Sequence, residues 1–325
     1  MKLPRRQFLH LAAGAAALPA VSRIARAQTY PTRPVRIIVG FPSGGPNDIL
    51  ARLIGRWLAE ALGQPFVVEN LPGDAGNVAT AAVVRAPADG YTLLLVGPSN
   101  AINGSLSDKL PFNFLRDIAP VAGLTREPLV MLAHPAMPAM TAPELIAYAK
   151  ANPGKLRLAL TDPGSAPHAS GELFRMMTGS EFTLVRFPGG PAALKGTIEG
   201  KSDLMFEPLS AAIEPLKSGS LRALAVTGVA RSPALPALPA LGDFLPGYEA
   251  SSVTGIGAPA ATPAAIIDTL NRAVIAAFSD AAMVARLADT GGALLLGSPA
   301  YFGRLMAEET EKWAKVVKFA GIKPD

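Results

Sequence analysis

The sequence predicts an α/β protein of two lobes, each a sheet covered by helices, on three observations. Strand-like and helix-like segments alternate along most of the chain, which argues for parallel strands joined by helical crossovers. One unit, a short apolar strand, a Gly-bearing loop and an amphipathic helix, occurs at residues 35–62 and again at 156–177. The chain has 325 residues, and the 298 that follow a 27-residue targeting segment are ample for two lobes with real cores, since a single core stops growing at roughly 250 to 300 residues.

The targeting segment has a basic start (Met1 to Arg6), an apolar middle (Phe8 to Val21) and a small-residue site, Ala25-Arg-Ala27, before Gln28. Pro4-Arg5-Arg6-Gln7-Phe8-Leu9 is similar to a twin-arginine export motif, with Pro4 where Ser or Thr is usual. Export with cleavage after Ala27 is expected, by the twin-arginine route in preference to the general secretory one. An apolar stretch of about 14 residues is too short to span a bilayer. Lys2, Arg5, Arg6, Arg23 and Arg26 are five of the 30 basic residues, so 25 remain against 25 acidic ones and the net charge of +5 falls to zero. The pI near 9.5 therefore belongs to the precursor and gives no reason to expect nucleic acid or an acidic membrane as partner. Cysteine is absent, which excludes disulfides, thiolate metal sites and a lipid anchor on an N-terminal cysteine. A soluble extracytoplasmic monomer is expected.

Val35, Ile37, Ile38 and Val39 form the first strand, ended by Phe41-Pro-Ser-Gly-Gly-Pro46. Leu50, Leu53, Ile54, Trp57, Leu58 and Leu62 then recur at helical spacing until Gly63. The loop Phe41, Pro42, Ser43, Gly44, Gly45 so lies at a helix N-terminus, where unpaired N–H groups and the macrodipole favour an anion. Residues 66–69 and 91–96 are further strands, a helix begins near Asn77, and 101–120 read as irregular. The strand 128–133 crosses into a second lobe, where Thr141-Ala-Pro-Glu144 is a capping box. The strand 156–161 leads through Asp162-Pro-Gly-Ser-Ala-Pro-His168 into a helix over 169–177, and strand 182–186 leads through Phe187-Pro-Gly-Gly-Pro191 into another. Strands at 203–206 and 222–227 and a Pro-rich connection at 228–250 follow. The strand 253–257 returns to the first lobe, before helices near 263–278, 280–289 and 299–319. The lobes are then 28–127 with 249–325, and 128–248, with hinges near 125–130 and 245–252.

Ser165, His168 and Asp162 are the one local cluster a hydrolase could use, yet they share a seven-residue loop, whereas a triad gathers its members from separate elements. Ser165 also suits an N-cap. Only His134 and His168 follow the targeting segment, and no His-Glu-x-x-His, phosphate loop or dinucleotide fingerprint occurs, so neither metal nor cofactor is expected.

Tyr30-Pro-Thr-Arg-Pro-Val-Arg-Ile-Ile-Val39 with Phe41-Pro-Ser-Gly-Gly45 and Asp48 resembles the opening signature of the tripartite tricarboxylate transporter solute-binding proteins, often called Bug receptors. Val67-Val-Glu-Asn70 with Pro72-Gly73, Pro87-Ala-Asp-Gly-Tyr-Thr-Leu-Leu94, Glu144-Leu-Ile-Ala-Tyr-Ala-Lys-Ala-Asn-Pro-Gly-Lys155 and Leu224-Ala-Val-Thr227 with Arg231 extend the resemblance over nearly the whole chain. It implies a type II periplasmic-binding-protein fold, two lobes closing on a small organic carboxylate, and no covalent chemistry. Permease subunits of a tripartite tricarboxylate transporter, or a sensor ectodomain, are the partners it implies; a secreted hydrolase is the remaining alternative. Ligand contacts are expected from Phe41 to Gly45, Asn77 and Ser99 on one side and Asp162, Ser165, His168, Phe187 and Gly189 on the other. Ser43, Leu71, Phe187 and Gly196 depart from the family's usual proline, arginine, tyrosine and aspartate. Glu207, if it faces the cleft, would repel a second carboxylate unless it met an amine, a cation or its own proton, which favours a monocarboxylate or apolar-bodied acid over citrate.

Overall fold

The structure is a computed structural model that describes residues 30–106, 109–288 and 292–322. The targeting segment and its cleavage site after Ala27 lie outside the described residues. Strands β1 (Val35–Val39), β2 (Phe66–Asn70) and β3 (Thr92–Val96) pair in parallel in the order β2-β1-β3. The long strand β4 (Ile118–Ala133) continues the sheet through β9 (Ser251–Pro259), which is antiparallel to both β3 and β4. Past Pro128, β4 exchanges β9 for β7 (Leu204–Pro208) and β8 (Arg222–Val226), and β5 (Arg157–Leu160) and β6 (Thr183–Arg186) complete that half. A two-residue strand β10 (Ala293–Leu294) pairs with β4 at Thr125 and Arg126. The expected parallel pairing therefore holds within each half only. Where the chain crosses between halves its strands run antiparallel, because β4 and β9 are joined through an entire lobe and not by a helical crossover.

Helices cover both faces of each half-sheet, which is why the strands read as continuous apolar runs. Val35, Ile37 and Val39 pack under α1 (Pro46–Leu62) and α9 (Ala264–Ala277), while Ile38 faces α2 (Asn77–Val84) and α11 (Pro299–Ala320). In the other half Leu129, Met131 and Ala133 pack with α5 (Ala142–Ala151) and α6 (Ala166–Thr178), and Val130 and Leu132 with α7 (Gly190–Ile198) and α8 (Leu209–Lys217). The alternation follows from the two-residue side-chain period of a strand. α1 buries Leu50, Leu53, Ile54 and Leu58, its Trp57 Nε1 donates to the Ala273 carbonyl at 2.8 Å, and Gly63 at φ 72° ends it.

Several elements depart from the sequence reading. Residues 101–120, read as irregular, contain most of α3 (Pro98–Leu106), the short α4 (Phe114–Asp117) and the start of β4. α3 has poor local propensity, with two asparagines, two serines and a glycine in nine residues, and is held by packing: Ala101 and Ile102 are buried in the core shared with β4, α6 and Trp313. α8 was not expected, since Pro215 interrupts its pattern; it is held by buried Leu209 and Ala212. α10 (Ala281–Ala288) and α11 form where expected, but α11 runs along α3 and on to α6, so its Trp313, Val316 and Val317 belong to the core of the second half.

Candidate functional site

The carboxyl ends of β1, β2 and β3 face those of β5 and β7 across a cavity of about 1380 Å³. The starts of α1, α3 and α6 all open onto it, through Asn47, Ser99 and Ala166. The crossing strands form its floor: Thr125 and Glu127 from β4, Ser252 and Thr254 from β9, with the two threonine hydroxyls 2.7 Å apart.

Of the residues singled out from sequence, Phe41, Gly44, Asn77, Ser99, Asp162 and Ser165 lie on this wall. Pro42, Ser43, Gly45, His168, Phe187, Gly189 and Glu207 do not. The first loop is braced internally. Asp48, buried in the first turn of α1, accepts from the Gly44 N–H at 2.9 Å and the Ser43 hydroxyl at 3.3 Å, and Arg52 Nε donates to it at 2.9 Å. The Arg52 guanidinium, together with the Gly44 N–H, holds the Asp48 carboxyl well below the usual range against the opposing effect of burial. The chain thus supplies its own anion to the N-terminus of α1.

At the second loop Ser165 caps α6 by accepting the His168 N–H at 3.3 Å, and its hydroxyl lies 2.7 Å from Thr161 Oγ1. The His168 ring is fully buried, with Nε2 3.9 Å from Glu172 Oε1, so the imidazole turns into the core beneath α6. The Phe187 ring fills the space over Gly196, where a Cβ would come 2.3 Å from its Cε1. Gly189 sits nearby, its missing Cβ 3.7 Å from Asp162 Oδ2. Glu207 is buried against the start of α7, and a Cβ on Gly190 would fall 2.5 Å from its Oε1.

Sequence reading picked out Ser99 and Asn77 but missed the two asparagines that complete the polar shell at the end of β3, Asn100 and Asn103. Asn100 accepts from the Gly97 N–H at 2.7 Å and donates to Thr80 at 2.8 Å, fixing the start of α3. Asn103 Nδ2 donates to the Ala75 carbonyl at 2.9 Å and to Asn77 Oδ1 at 3.1 Å. Two atoms of this shell are buried without a hydrogen-bond partner: Ser99 Oγ and Asn103 Oδ1, on residues 5% and 3% exposed. Buried polar atoms are nearly always paired, and leaving one unpaired costs about 1 to 3 kcal/mol. Both residues line the cavity, so these atoms are what a ligand or water would satisfy. Beside them Asp74 and Ala75 hold φ of 45° and 48°, a conformation costly for residues with a Cβ and concentrated at functional sites. Gly164, at φ 81°, brings the second loop against Asn103; a Cβ there would lie 2.7 Å from Asn103 Oδ1.

Glu127 was also missed, because the strand read at 128–133 stops short of it whereas β4 runs from Ile118 to Ala133. Its Oε1 accepts from Ser210 Oγ at 3.1 Å, and burial pushes its carboxyl up to about 7. Glu207 is likewise raised to about 7, by burial first and by the charge of Glu127 second, and its Oε2 has no partner. Among the described residues no cluster of His, Cys, Asp and Glu could hold a metal ion, and no helix is long and apolar enough to cross a membrane.

Two half-sheets, crossed by β4 and β9 and facing each other over a cavity ringed by helix starts, define the class of solute-binding receptors. Residues 50–322 match the family described as tripartite tricarboxylate transporter family receptor, and the chain belongs to that family. Protein BugT of Bordetella pertussis is 36% identical over 300 residues, covering 91% of this chain and 92% of BugT. Among solved structures, the R. palustris protein Rpa4515 with adipate shares 37% identity at a TM-score of 0.79, over 91% of this chain and 100% of that one. MatC (Rpa3494) from Rhodopseudomonas palustris with bound malate shares 32% identity at a TM-score of 0.75, over 89% and 100%. The family is one of receptors and not of enzymes, and the periplasmic binding protein BugD shares 29% identity at a TM-score of 0.75 over 90% of this chain and 99% of that one, so the hydrolase alternative falls. The geometry agrees: the Ser165 hydroxyl bonds to Thr161 and to a backbone N–H, while the His168 ring turns toward Glu172.

Proposed function

We propose that this receptor captures a small organic carboxylate in the cavity by closure of its two lobes and delivers it to the membrane permease of a tripartite tricarboxylate transporter. The observation that carries the reading is the buried, unpartnered hydroxyl Ser99 Oγ, a potential donor on a wall where three helix starts converge. Ser99 Oγ and the N-terminal amides of α3 and α6 are the contacts proposed for the carboxylate, with Asn77, Phe41, Asp162 and Ser165 shaping the space around it. The first loop contributes less, because Asp48 already takes the Gly44 N–H. At the second loop Pro167 has no N–H and Ser165 takes that of His168, which leaves the Ala166 amide. Charge-assisted hydrogen bonds of this kind are worth about 1.5 to 3 kcal/mol each, so a few suffice for micromolar affinity, about −8 kcal/mol.

The lobes we assign are 28–127 with 249–325, and 128–248. The change of partner along β4 at Pro128 and the re-entry of β9 at Ser251 support hinges at 125–130 and 245–252. The targeting segment supports periplasmic export with cleavage after Ala27. A sensor ectodomain is the alternative recipient of the loaded form.

The test is a thermal-shift screen of the processed protein, stripped of co-purified ligand by unfolding and refolding, against mono-, di- and tricarboxylates, aromatic acids and amino acids. Ligand at about 100 times its dissociation constant should add about 2.7 kcal/mol of stability. A screen in which no carboxylate raises the midpoint would overturn the receptor reading.

A further inference from the structure

The corner between α3 and α6 presents a ligand with two different partners. Ser99 and Asn103 stand four residues apart on α3, so their side chains share one face of the helix, about one turn from each other. Ser99 Oγ has a hydrogen to give, and a carboxylate takes it. Asn103 Oδ1 is an acceptor, and an ionised carboxylate has nothing to offer it. What satisfies it is an O–H or N–H.

The neighbours of Asn103 fix which way its amide points. Its Nδ2 donates to the Ala75 carbonyl at 2.9 Å and to Asn77 Oδ1 at 3.1 Å, and the Asn77 amide is held in turn by its Nδ2 donating to Asp74 Oδ2 at 3.2 Å. Turning the Asn103 amide over would set its oxygen against the Ala75 carbonyl, two acceptors in contact. Oδ1 is therefore the atom left without a partner, on a residue 3% exposed that lines the cavity. From the other lobe Gly164 comes against it without a side chain, and the Cβ that would lie 2.7 Å from Oδ1 is missing. A small space beside the acceptor is kept free.

We propose that the ligand is a 2-hydroxy acid, whose carboxylate accepts from Ser99 Oγ and whose 2-hydroxyl donates to Asn103 Oδ1. This rests on the receptor reading above and adds the substituent next to the carboxylate. In such an acid the hydroxyl sits on the carbon bonded to the carboxylate, which suits two side chains one helical turn apart. A hydroxyl fits this corner better than an ammonium, because the starts of α3 and α6 carry no acid in their first turns and their dipoles place positive potential here. Asp74 and Asp162 on the adjoining loops are solvent-exposed, so their charge is screened. An acid without the substituent meets Ser99 equally well but seals Asn103 Oδ1 from water with no donor, and a site built to bond a ligand hydroxyl rejects the analogue that lacks it. Ser99 holds the carboxylate common to both, and Asn103 sets the specificity.

The experiment is calorimetric titration of the stripped, processed protein at neutral pH with 2-hydroxy acids, as separate enantiomers, beside their unsubstituted and 2-amino counterparts. The sets are lactate, propanoate and alanine; malate, succinate and aspartate; 2-hydroxyglutarate, glutarate and glutamate; and 3-phenyllactate, 3-phenylpropanoate and phenylalanine. The tightest acid of the wider screen joins them with its own counterparts. In the set that binds tightest, one enantiomer of the hydroxy acid should bind at least about tenfold tighter than either counterpart. Tenfold corresponds to about 1.4 kcal/mol. Asn103→Ala should bring that hydroxy acid down to the affinity of the unsubstituted acid, whereas Ser99→Ala should weaken both by a similar factor and keep the preference, in variants whose circular dichroism matches the parent. If Asn103→Ala does not fold, the titrations of the parent decide. An unsubstituted or amino acid that binds as tightly as the hydroxy acid, or a preference that survives Asn103→Ala, overturns the hydroxyl assignment while leaving the receptor reading intact. If no acid of these sets or of the wider screen binds, the receptor reading and the assignment fall together.

Discussion

Replacing Glu207 by glutamine should stabilise the ligand-free protein above neutrality, the reverse of what most substitutions of buried residues do. The carboxyl keeps its proton up to about pH 7 in the folded chain, against an ordinary value of 4.5. Between those two values the folded state binds more protons than the unfolded one, so stability falls as pH rises through the window. The rise of some 2.5 pH units sets a ceiling of about 3 kcal/mol on what ionising Glu207 costs. Glutamine keeps the shape, including the fit against Gly190, and carries no charge to desolvate. The variant should therefore match the parent near pH 4.5 and exceed it at pH 8 by up to about 3 kcal/mol, several degrees in midpoint for a chain of this size. Urea unfolding of the stripped proteins at half-unit steps from pH 4.5 to 8 reads this directly. A parental stability flat across that range, or a variant weaker by the same amount at every pH, would refute the reasoning, because Glu207 would then be paired in solution.

Two further substitutions separate ligand-directed groups from structural ones. Ser99→Ala deletes a buried hydroxyl that has no partner, so apo stability should stay within about 0.5 kcal/mol of the parent or rise, while carboxylate affinity drops about tenfold; a loss of more than 1 kcal/mol of apo stability would mean that the hydroxyl already has a protein partner. Lys312→Met removes the cation that joins Glu249 beside β9 to Glu309 on α11, at 2.7 and 2.8 Å, and should destabilise by about 2 to 4 kcal/mol at pH 7. Acidification to pH 5 should recover part of that loss as the orphaned carboxylates protonate, and equal losses at both pH values would argue against it.

The helices with strong apolar periodicity, α1, α6 and α9, were legible in the sequence, as were the paired strand-loop-helix units, because their local pattern agrees with their final environment. α3 was not, since a helix of Pro, Ser, Asn and Gly carries no periodic signal and is held by Ala101, Ile102 and its buried asparagines. That miss hid Asn100 and Asn103, though not Ser99 and Asn77. Glu127 was hidden for a different reason: its position in the cavity depends on β4 continuing unbroken from one half-sheet to the other, a length of strand that Pro120 and Pro128 argue against locally. The departures at 187 and 196, separate in sequence, are one event in space, since the Phe187 ring occupies the volume that a side chain at 196 would need. They describe packing beneath α7 and carry no information about ligand charge.

The motif that dominates the sequence, the glycine-bearing loop before α1, turns out to be the helix start with least to offer an anion. Asp48 neutralises the dipole there, consumes the Gly44 N–H and is itself held by Arg52, so an incoming carboxylate would meet a negative charge 2.9 Å from the donor it needs. The starts of α3 and α6 carry no acid in their first turns, and the unpartnered Ser99 Oγ lies at the first of them. Of the three helix starts that open onto the cavity one thus brings its own anion and two do not, which directs a ligand carboxylate to the corner between α3 and α6.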